Sequence, residues 1–377
     1  MSRDYLKVFR RINNVLMARP DWKEWVKIHQ ELSFWDLEFD LFNDTGLDQT
    51  HEDLRRKCNA DFGRHVEDNY LEWIHSKKRP VMSVDIFKDL VISQLQAGMK
   101  VYFIVIDCMR YDQWLKIEDL LVPYYDIKRD CYYSILPTAT PYSRNGIFSG
   151  LFPLGIKDRY PDYWLERSKS ELSKNRFENK LMLEQLRRSG LENITAKYIK
   201  IYNIDEANEI RKQVDSYRSI NLVAMVFNFL DILSHGRSQS DILQEIAPAE
   251  SAFRSLMRTW FVHSALFEIL QKISKHDALV VITTDHGSIL GQRASLVHGN
   301  RETSTNLRYK FGENINGDGK QTLLIRKPRD FKLPSESPSK NYIIAKEDYY
   351  FVYPTRFHEY EKQYQGTFQH GGISLEE

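Results

Sequence analysis

The chain has 377 residues, with 53 Lys plus Arg against 52 Asp plus Glu and a net charge of +1 at pH 7. No broad field would draw such a molecule onto nucleic acid or an anionic membrane, so a phosphate-bearing partner has to be recognised locally. Three cysteines outside any C-x-x-C pair (Cys58, Cys108, Cys131) signal neither a disulfide framework nor a thiolate zinc site, and no run approaches the ~20 apolar residues of a membrane span, so a cytoplasmic protein without membrane insertion is expected.

Up to about Pro80 the apolar periodicity is helical. Ser2 can cap a helix carrying Leu6, Phe9, Ile12 and Leu16, and Pro20 ends it; a second starts near Asp21 with Trp22, Trp25, Val26 and Leu32 on one side. After an N-D-T-G turn at 43–46, Thr50 is the expected N-cap of a third helix with Leu54, Cys58, Tyr70 and Ile74 as its stripe. Residues 1–80 thus read as a small helical bundle with the tryptophans as core, and a dimer or docking face is the second reading. Lys77-Lys78-Arg79-Pro80 reads as a solvated end or linker. Ser83 is the expected cap of a helix over 84–96, closed by Gly98, that opens an α/β domain over 81–377.

Three apolar runs then end at acids. V-Y-F-I-V-I at 101–106 meets Asp107, Leu222 to Leu230 meets Asp231 with His235 four residues on, and Leu279 to Ile282 leads through Thr283 and Thr284 to Asp285-His286. Unbroken β-branched and aromatic runs are what buried parallel strands look like, and ligands of open α/β sheets bind at the carboxyl edge. Between the first two runs, 151–218 reads as an insertion covering that edge, with a helix over 178–188, a turn at Gly190 and a strand over 196–201. Residues 240–276 read as mostly helix, and 291–330 as loops around one strand at 322–325. From the polar ending Q-H-G-G-I-S-L-E-E, with no helical finish, a fragment is the expectation.

Carboxylate oxygen and imidazole nitrogen both bind zinc at ~2.0 to 2.2 Å, and two ions ~3.5 to 4 Å apart hold the entering and leaving oxygens of phosphoryl transfer. The available ligands are Asp107, Asp231, His235, Asp285, His286 and His370. Singly, Asp285-His286 could be a cap and a surface histidine, and D-x-x-x-H is common at helix starts; together and in this order they read as ligands. Within S-I-L-P-T-A-T-P-Y-S-R-N-G at 134–146 a threonine beside a metal is a sensible phosphoryl acceptor, and the following residues can open a helix whose N–H groups face the same phosphate. Arg144 and Asn145 are candidates to hold phosphate oxygens, although an arginine packed against its own helix reads almost as well. His298, in L-V-H-G-N, is a substrate candidate or a solvated loop histidine.

At these residues the chain resembles the alkaline phosphatase superfamily. Its nucleotide pyrophosphatase/phosphodiesterase branch carries a strand-end Asp, P-T-x-T with the second Thr as nucleophile, D-x-x-x-H, D-H and a late His-Gly, which stand here as Asp107, Pro137 to Thr140, Asp231 to His235, Asp285-His286 and His370-Gly371. I-D-C-M-R-Y-D, P-T-A-T-x-Y-S-R and H-G-G-I-S are more similar still to the PglZ domain. With the helical region before them, they resemble the part of the PorX response regulators that lies C-terminal to the receiver domain. No acidic pair with a strand-end phosphoacceptor Asp precedes Met1, so a missing receiver in cis is expected.

The resemblance implies an α/β fold with a central, mostly parallel sheet flanked by helices and preceded by a helical bundle. It implies two Zn²⁺, with Mn²⁺ as the alternative: one on Asp231, His235 and His370, the other on Asp107, Asp285, His286 and the Thr140 oxygen. Thr140 is preferred to Thr138 by the P-T-x-T pattern, with Ser143 as fallback. The implied activity is a phosphodiesterase acting on nucleotide-type substrates, cyclic or linear oligonucleotides among them. The implied setting is a two-component response regulator controlling type IX secretion, with a cognate sensor kinase, a homodimer formed through the bundle and a transcription or secretion-machinery component as partner. Phosphomonoesterase or phosphomutase chemistry is less favoured, and sulfate ester hydrolysis is disfavoured because sulfatases need Cys or Ser at the nucleophile. The rival from another class is a regulatory binding module whose metal site is structural or ligand-sensing.

Overall fold

The computed structural model describes residues 2–41, 45–164, 175–237, 240–247, 249–299 and 306–377. Its centre is a four-stranded, fully parallel sheet of β1 (Val101–Ile106), β2 (Ala196–Ile201), β3 (Leu222–Phe227) and β4 (Leu279–Thr283) in the order β2-β3-β1-β4. Every residue of β1 and β3 is buried, which is why their sequences run apolar without alternation. Each large apolar side chain so removed from water stabilises the fold by ~1.5 to 3 kcal/mol. The acids that follow β1, β3 and β4 therefore emerge side by side at one carboxyl edge.

Most of the sequence-derived elements appear within a residue or two, and four do not. Helix α3 runs Thr45–His75, so Thr50 lies inside it; the Thr50 hydroxyl donates to Gly46 O at 2.9 Å instead of capping, and residues 42–44 of the expected turn lie outside the described residues. Ser83 starts its helix but does not cap it: the Asp85 carboxylate accepts from Met82 N–H at 2.9 Å, and the Ser83 hydroxyl accepts from Ile135 N–H at 3.0 Å. That helix also carries a π turn, Lys88–Ile92. Between 291 and 330 there are strands at Arg293–His298 and Tyr309–Glu313 besides Thr322–Ile325, and a small antiparallel sheet joins Tyr309–Glu313, Lys340–Ala345 and Thr322–Ile325. The described part of 151–218 does not form a cover: it supplies β2, the outer strand of the central sheet, while 165–174 lies outside the described residues.

Helices α1 (Ser2–Met17), α2 (Trp22–Leu41) and α3 share one core with the α/β unit. Trp25, Phe62, Val66, Tyr70 and Trp73 are buried with Ile135, Leu136, Ala139, Tyr142 and Ile373. The tryptophans serve that contact, as core residues. No helix among the described residues is long and apolar enough to cross a membrane.

Around this core runs a buried ion network. Arg55 pairs with Asp36 and, at 2.6 Å, with Glu376; Arg254 reaches Asp40 at 2.6 Å and Asp112 at 2.9 Å; Arg110 also pairs with Asp112 and, at 3.0 Å, with Glu250. Burial by itself would raise Asp36, Asp112 and Glu376, but Arg55 beside the first and third, and Arg110 with Arg254 beside the second, hold all three below the usual carboxylate range. Carboxyls depressed in the folded state stabilise fully above their unfolded pKa of about 4 and lose that contribution as pH falls through it. From these pairs, a melting temperature that falls steeply as pH drops below about 4 is expected. Asp36→Asn should lower the melting temperature above that range and flatten the drop in a thermal melt followed across pH, and an unchanged acid limb would show that these pairs do not set it.

Candidate active site

Asp107 continues β1 by one residue, its N–H donating to Phe227 O at 2.9 Å. The chain then leaves the edge through Cys108 at φ +65°, a left-handed conformation costly for a side chain bearing Cβ, of a kind found where a site over-determines the backbone. Beyond β3, Asp231 and His235 lie four apart on the helix Phe229–Arg237, hence on one face, with His235 Nε2 3.3 Å from Asp231 Oδ1. His370 follows the strand Thr367–Gln369 and places Nε2 3.3 Å from His235 Nε2 and 3.6 Å from Asp231 Oδ1. These three form one group of converging ligand atoms.

Asp107, Asp285 and His286 form the second, each group having its donor atoms within 4.8 Å of one another. His286 Nε2 is 3.7 Å from Asp107 Oδ1 and 3.7 Å from Asp285 Oδ2. The two groups adjoin, because the His286 and His370 rings stack with centroids 4.3 Å apart. His286 Nδ1 lies 2.9 Å from Gly287 O, a contact that assigns the proton to Nδ1 and leaves the Nε2 lone pair facing the cluster.

Thr140 begins the helix Thr140–Ser149, and its Oγ1 lies 2.9 Å from His286 Nε2 and 3.5 Å from Asp107 Oδ1. The two alternative nucleophiles of the loop are engaged elsewhere: Thr138 donates to Gly372 O at 2.7 Å, and Ser143 meets Ser134 Oγ at 2.9 Å.

The electrostatics suit cations. Burial, aided by Asp285 and Asp231 and opposed by Arg144, pushes the Asp107 carboxyl up to about 7; burial likewise raises Asp285 and lowers His286, which is therefore a neutral imidazole near pH 7. Burial would raise Asp231 too, but His235, His370 and His286 hold it well below the usual range. Asp285 Oδ2 is buried and makes no hydrogen bond. A buried carboxylate oxygen in that state needs a counter-charge, and a mixed oxygen and imidazole donor set is one that zinc accepts.

Comparison with known proteins gives the family of the chain. The family model of the BREX system PglZ alkaline phosphatase-like domain matches residues 86–377. The chain belongs to the PglZ family. The model of the PorX response regulator linker domain matches residues 1–74. No curated protein matches the chain. Among solved structures, murine ectonucleotide pyrophosphatase/phosphodiesterase 5 is similar at 14% identity and a TM-score of 0.48, over 74% of this chain and 86% of that chain. By these family models, the α/β unit is an alkaline phosphatase-like domain, and α1–α3 resemble a response-regulator linker.

Three residues of the PglZ domain expected at the substrate are placed differently. Arg144 is buried, with Nη1 2.8 Å from Asp107 Oδ2 and 3.2 Å from Asn228 Oδ1, and Nε 2.8 Å from Glu178 Oε1. Its fork is spent on carboxylates, since a guanidinium enclosed among acids is held there by charge. Asn145 is buried and donates to Pro141 O at 2.9 Å inside its own helix. His298 is exposed on the strand Arg293–His298 and belongs to neither ligand group.

Glu178 was not foreseen as part of this PglZ site. It is buried, opens the helix Glu178–Arg188, and also meets Tyr198 and, at 3.2 Å, Lys200. In sequence it is indistinguishable from any acid in a first helical turn.

Proposed function

We propose that this PglZ domain is a zinc-dependent phosphodiesterase acting on nucleotide-type phosphodiesters, oligonucleotides included, with Thr140 as nucleophile. The observation that carries the reading is the position of Thr140 Oγ1: it lies against the ligand atoms of His286 and Asp107, whereas the Ser134 hydroxyl of the same loop meets only the Asp285 backbone, and it sits beside the second group of Asp231, His235 and His370. Two Zn²⁺, with Mn²⁺ as the alternative occupant, would lower the hydroxyl pKa and neutralise phosphate oxygens when held by these two groups.

The chain's own residues do the rest. Thr140 Oγ, its proton passing to solvent, attacks phosphorus in line; the bond to one alcohol oxygen breaks and that alkoxide leaves as the alcohol, protonated from water. A second water then cleaves the Thr140–phosphorus ester, releasing a phosphomonoester and restoring the hydroxyl. Of the backbone N–H groups that open Thr140–Ser149, Pro141 lacks one, and those of Tyr142 and Ser143 donate to Ala139 O at 2.9 Å. Arg144 orients Asp107 by occupying Oδ2, which leaves Oδ1 toward Thr140.

The similarity of residues 1–74 to a response-regulator linker supports a wider reading. In it, 1–80 is a linking and dimerising unit and 81–377 the effector of a cytoplasmic two-component regulator of type IX secretion, with a receiver, a sensor kinase and a transcription or secretion component as partners.

The test is hydrolysis of bis(p-nitrophenyl) phosphate and of p-nitrophenyl phosphate by zinc-loaded protein, with the diester expected to be the faster. A faster monoester would make the domain a phosphomonoesterase; turnover of neither would leave the structural-metal binding module as the better account.

A further inference from the structure

Helix α3 lies against both segments that deliver the outlying functional groups, at places about 20 Å apart along its axis. Midway along the helix, Asn59 Oδ1 accepts from Leu375 N–H at 2.8 Å and Asn59 Nδ2 donates to Glu376 Oε2 at 3.0 Å; Arg55, one turn earlier, donates to Glu376 Oε1 at 2.6 Å. Leu375 is five residues beyond His370. Toward its C-terminal end, the Tyr70 hydroxyl accepts from Leu136 N–H at 2.9 Å, four residues before Thr140. Residues 55, 59, 62, 66, 70 and 73 share one face of the helix.

Between those two places the segments are tied to each other. Thr138 donates to Gly372 O, Gly287 N–H donates to Glu377 O at 3.3 Å, and a Cβ at Gly287 would meet Glu376 O at 1.8 Å, so the 370–377 segment abuts the residue after His286. Asn59 and Tyr70 are themselves buried. A helix that only packed here would be served by Phe62, Val66 and Trp73. A buried amide and phenol cost free energy unless paired, and both are paired with the backbones that carry the site.

We infer that Asn59 and Tyr70 of helix α3 are positioning residues for catalysis: Tyr70 sets the loop that aims Thr140, and Asn59 sets the segment that aims His370. The linker-like helix thereby completes the hydrolase site. The inference deepens the phosphodiesterase reading and rests on it for its kinetic readout, though not for its metal readout.

The test compares Tyr70→Phe, Asn59→Leu and, as an exposed control on the same helix, Glu72→Ala, in the full chain. Readouts are kcat and KM on bis(p-nitrophenyl) phosphate, zinc affinity by chelator competition, and melting temperature. Tyr70→Phe should lose about 10-fold or more in kcat with KM and zinc affinity near wild type, and Asn59→Leu should weaken one of two zinc sites about 10- to 100-fold, the range for residues that orient a ligand. Folded variants with wild-type kcat and zinc affinity overturn the inference, as does a Glu72→Ala loss equal to theirs. If the wild type binds zinc but hydrolyses no ester, the phosphodiesterase reading fails, and the zinc affinity of Asn59→Leu decides the inference by itself.

Discussion

Thr140→Ala should bind zinc as the wild type does and lose about 10³- to 10⁶-fold in diester turnover, the range seen when a nucleophile is deleted from an otherwise intact site. The size of the loss follows from the absence of a substitute among the neighbouring hydroxyls. Thr138 is bonded to Gly372 O and Ser143 to Ser134, and neither can turn toward His286 without breaking a buried hydrogen bond. The six acids and imidazoles stay in place, so metal content should hold, and that separates a lost nucleophile from a lost site. Thr140 opens its helix with Pro141 in the first turn, so the Ala variant loses one hydroxyl and one methyl and should melt close to wild type. Zinc per chain, melting temperature and initial rates are the measurements. Near-wild-type turnover by Thr140→Ala would mean that a water molecule attacks phosphorus directly.

Arg144→Met should cost about 3 to 5 kcal/mol of stability in metal-free protein, the usual penalty for removing one partner of a buried charge cluster. Asp107, Asp285 and Glu178 crowd that guanidinium, and without it only Lys200, 3.2 Å from Glu178, remains among their ion-pair partners of fixed positive charge. Saturating zinc should return more stability to the variant than to the wild type, because a dication at Asp107 and Asp285 replaces part of the missing charge. Denaturant unfolding with and without zinc reads both effects. Were Arg144 a phosphate-holding residue, the change would raise KM and leave metal-free stability alone; that pattern would overturn the placement argued from its contacts.

The legible part of the site was the part written as an anomaly. An acid ending a run such as V-Y-F-I-V-I contradicts the burial of the strand before it, and three such endings imply one shared edge. The P-T-A-T loop and the late H-G-G were legible through likeness to known motifs rather than through periodicity. Asp231 was less well read: β3 stops at Phe227, Asn228 turns to Arg144, and Asp231 rides the next helix. Apolar periodicity alone does not mark where a strand gives way to an equally apolar helical turn. The strands Arg293–His298 and Tyr309–Glu313 were missed because five or six residues of mixed polarity hold their form only through their neighbours.

Local sequence determined the buried parallel strands, the helices with their apolar stripes and the identity of the seven candidate ligand and nucleophile residues, because each depends on the chain within a few residues of itself. Tertiary structure alone decided that Arg144 faces carboxylates, that Glu178 stands behind it, and that α3 holds Leu136 and Leu375. Those outcomes depend on which charges and backbone groups meet once water is excluded, and partners 34 to 316 residues apart leave no trace in the order of the chain.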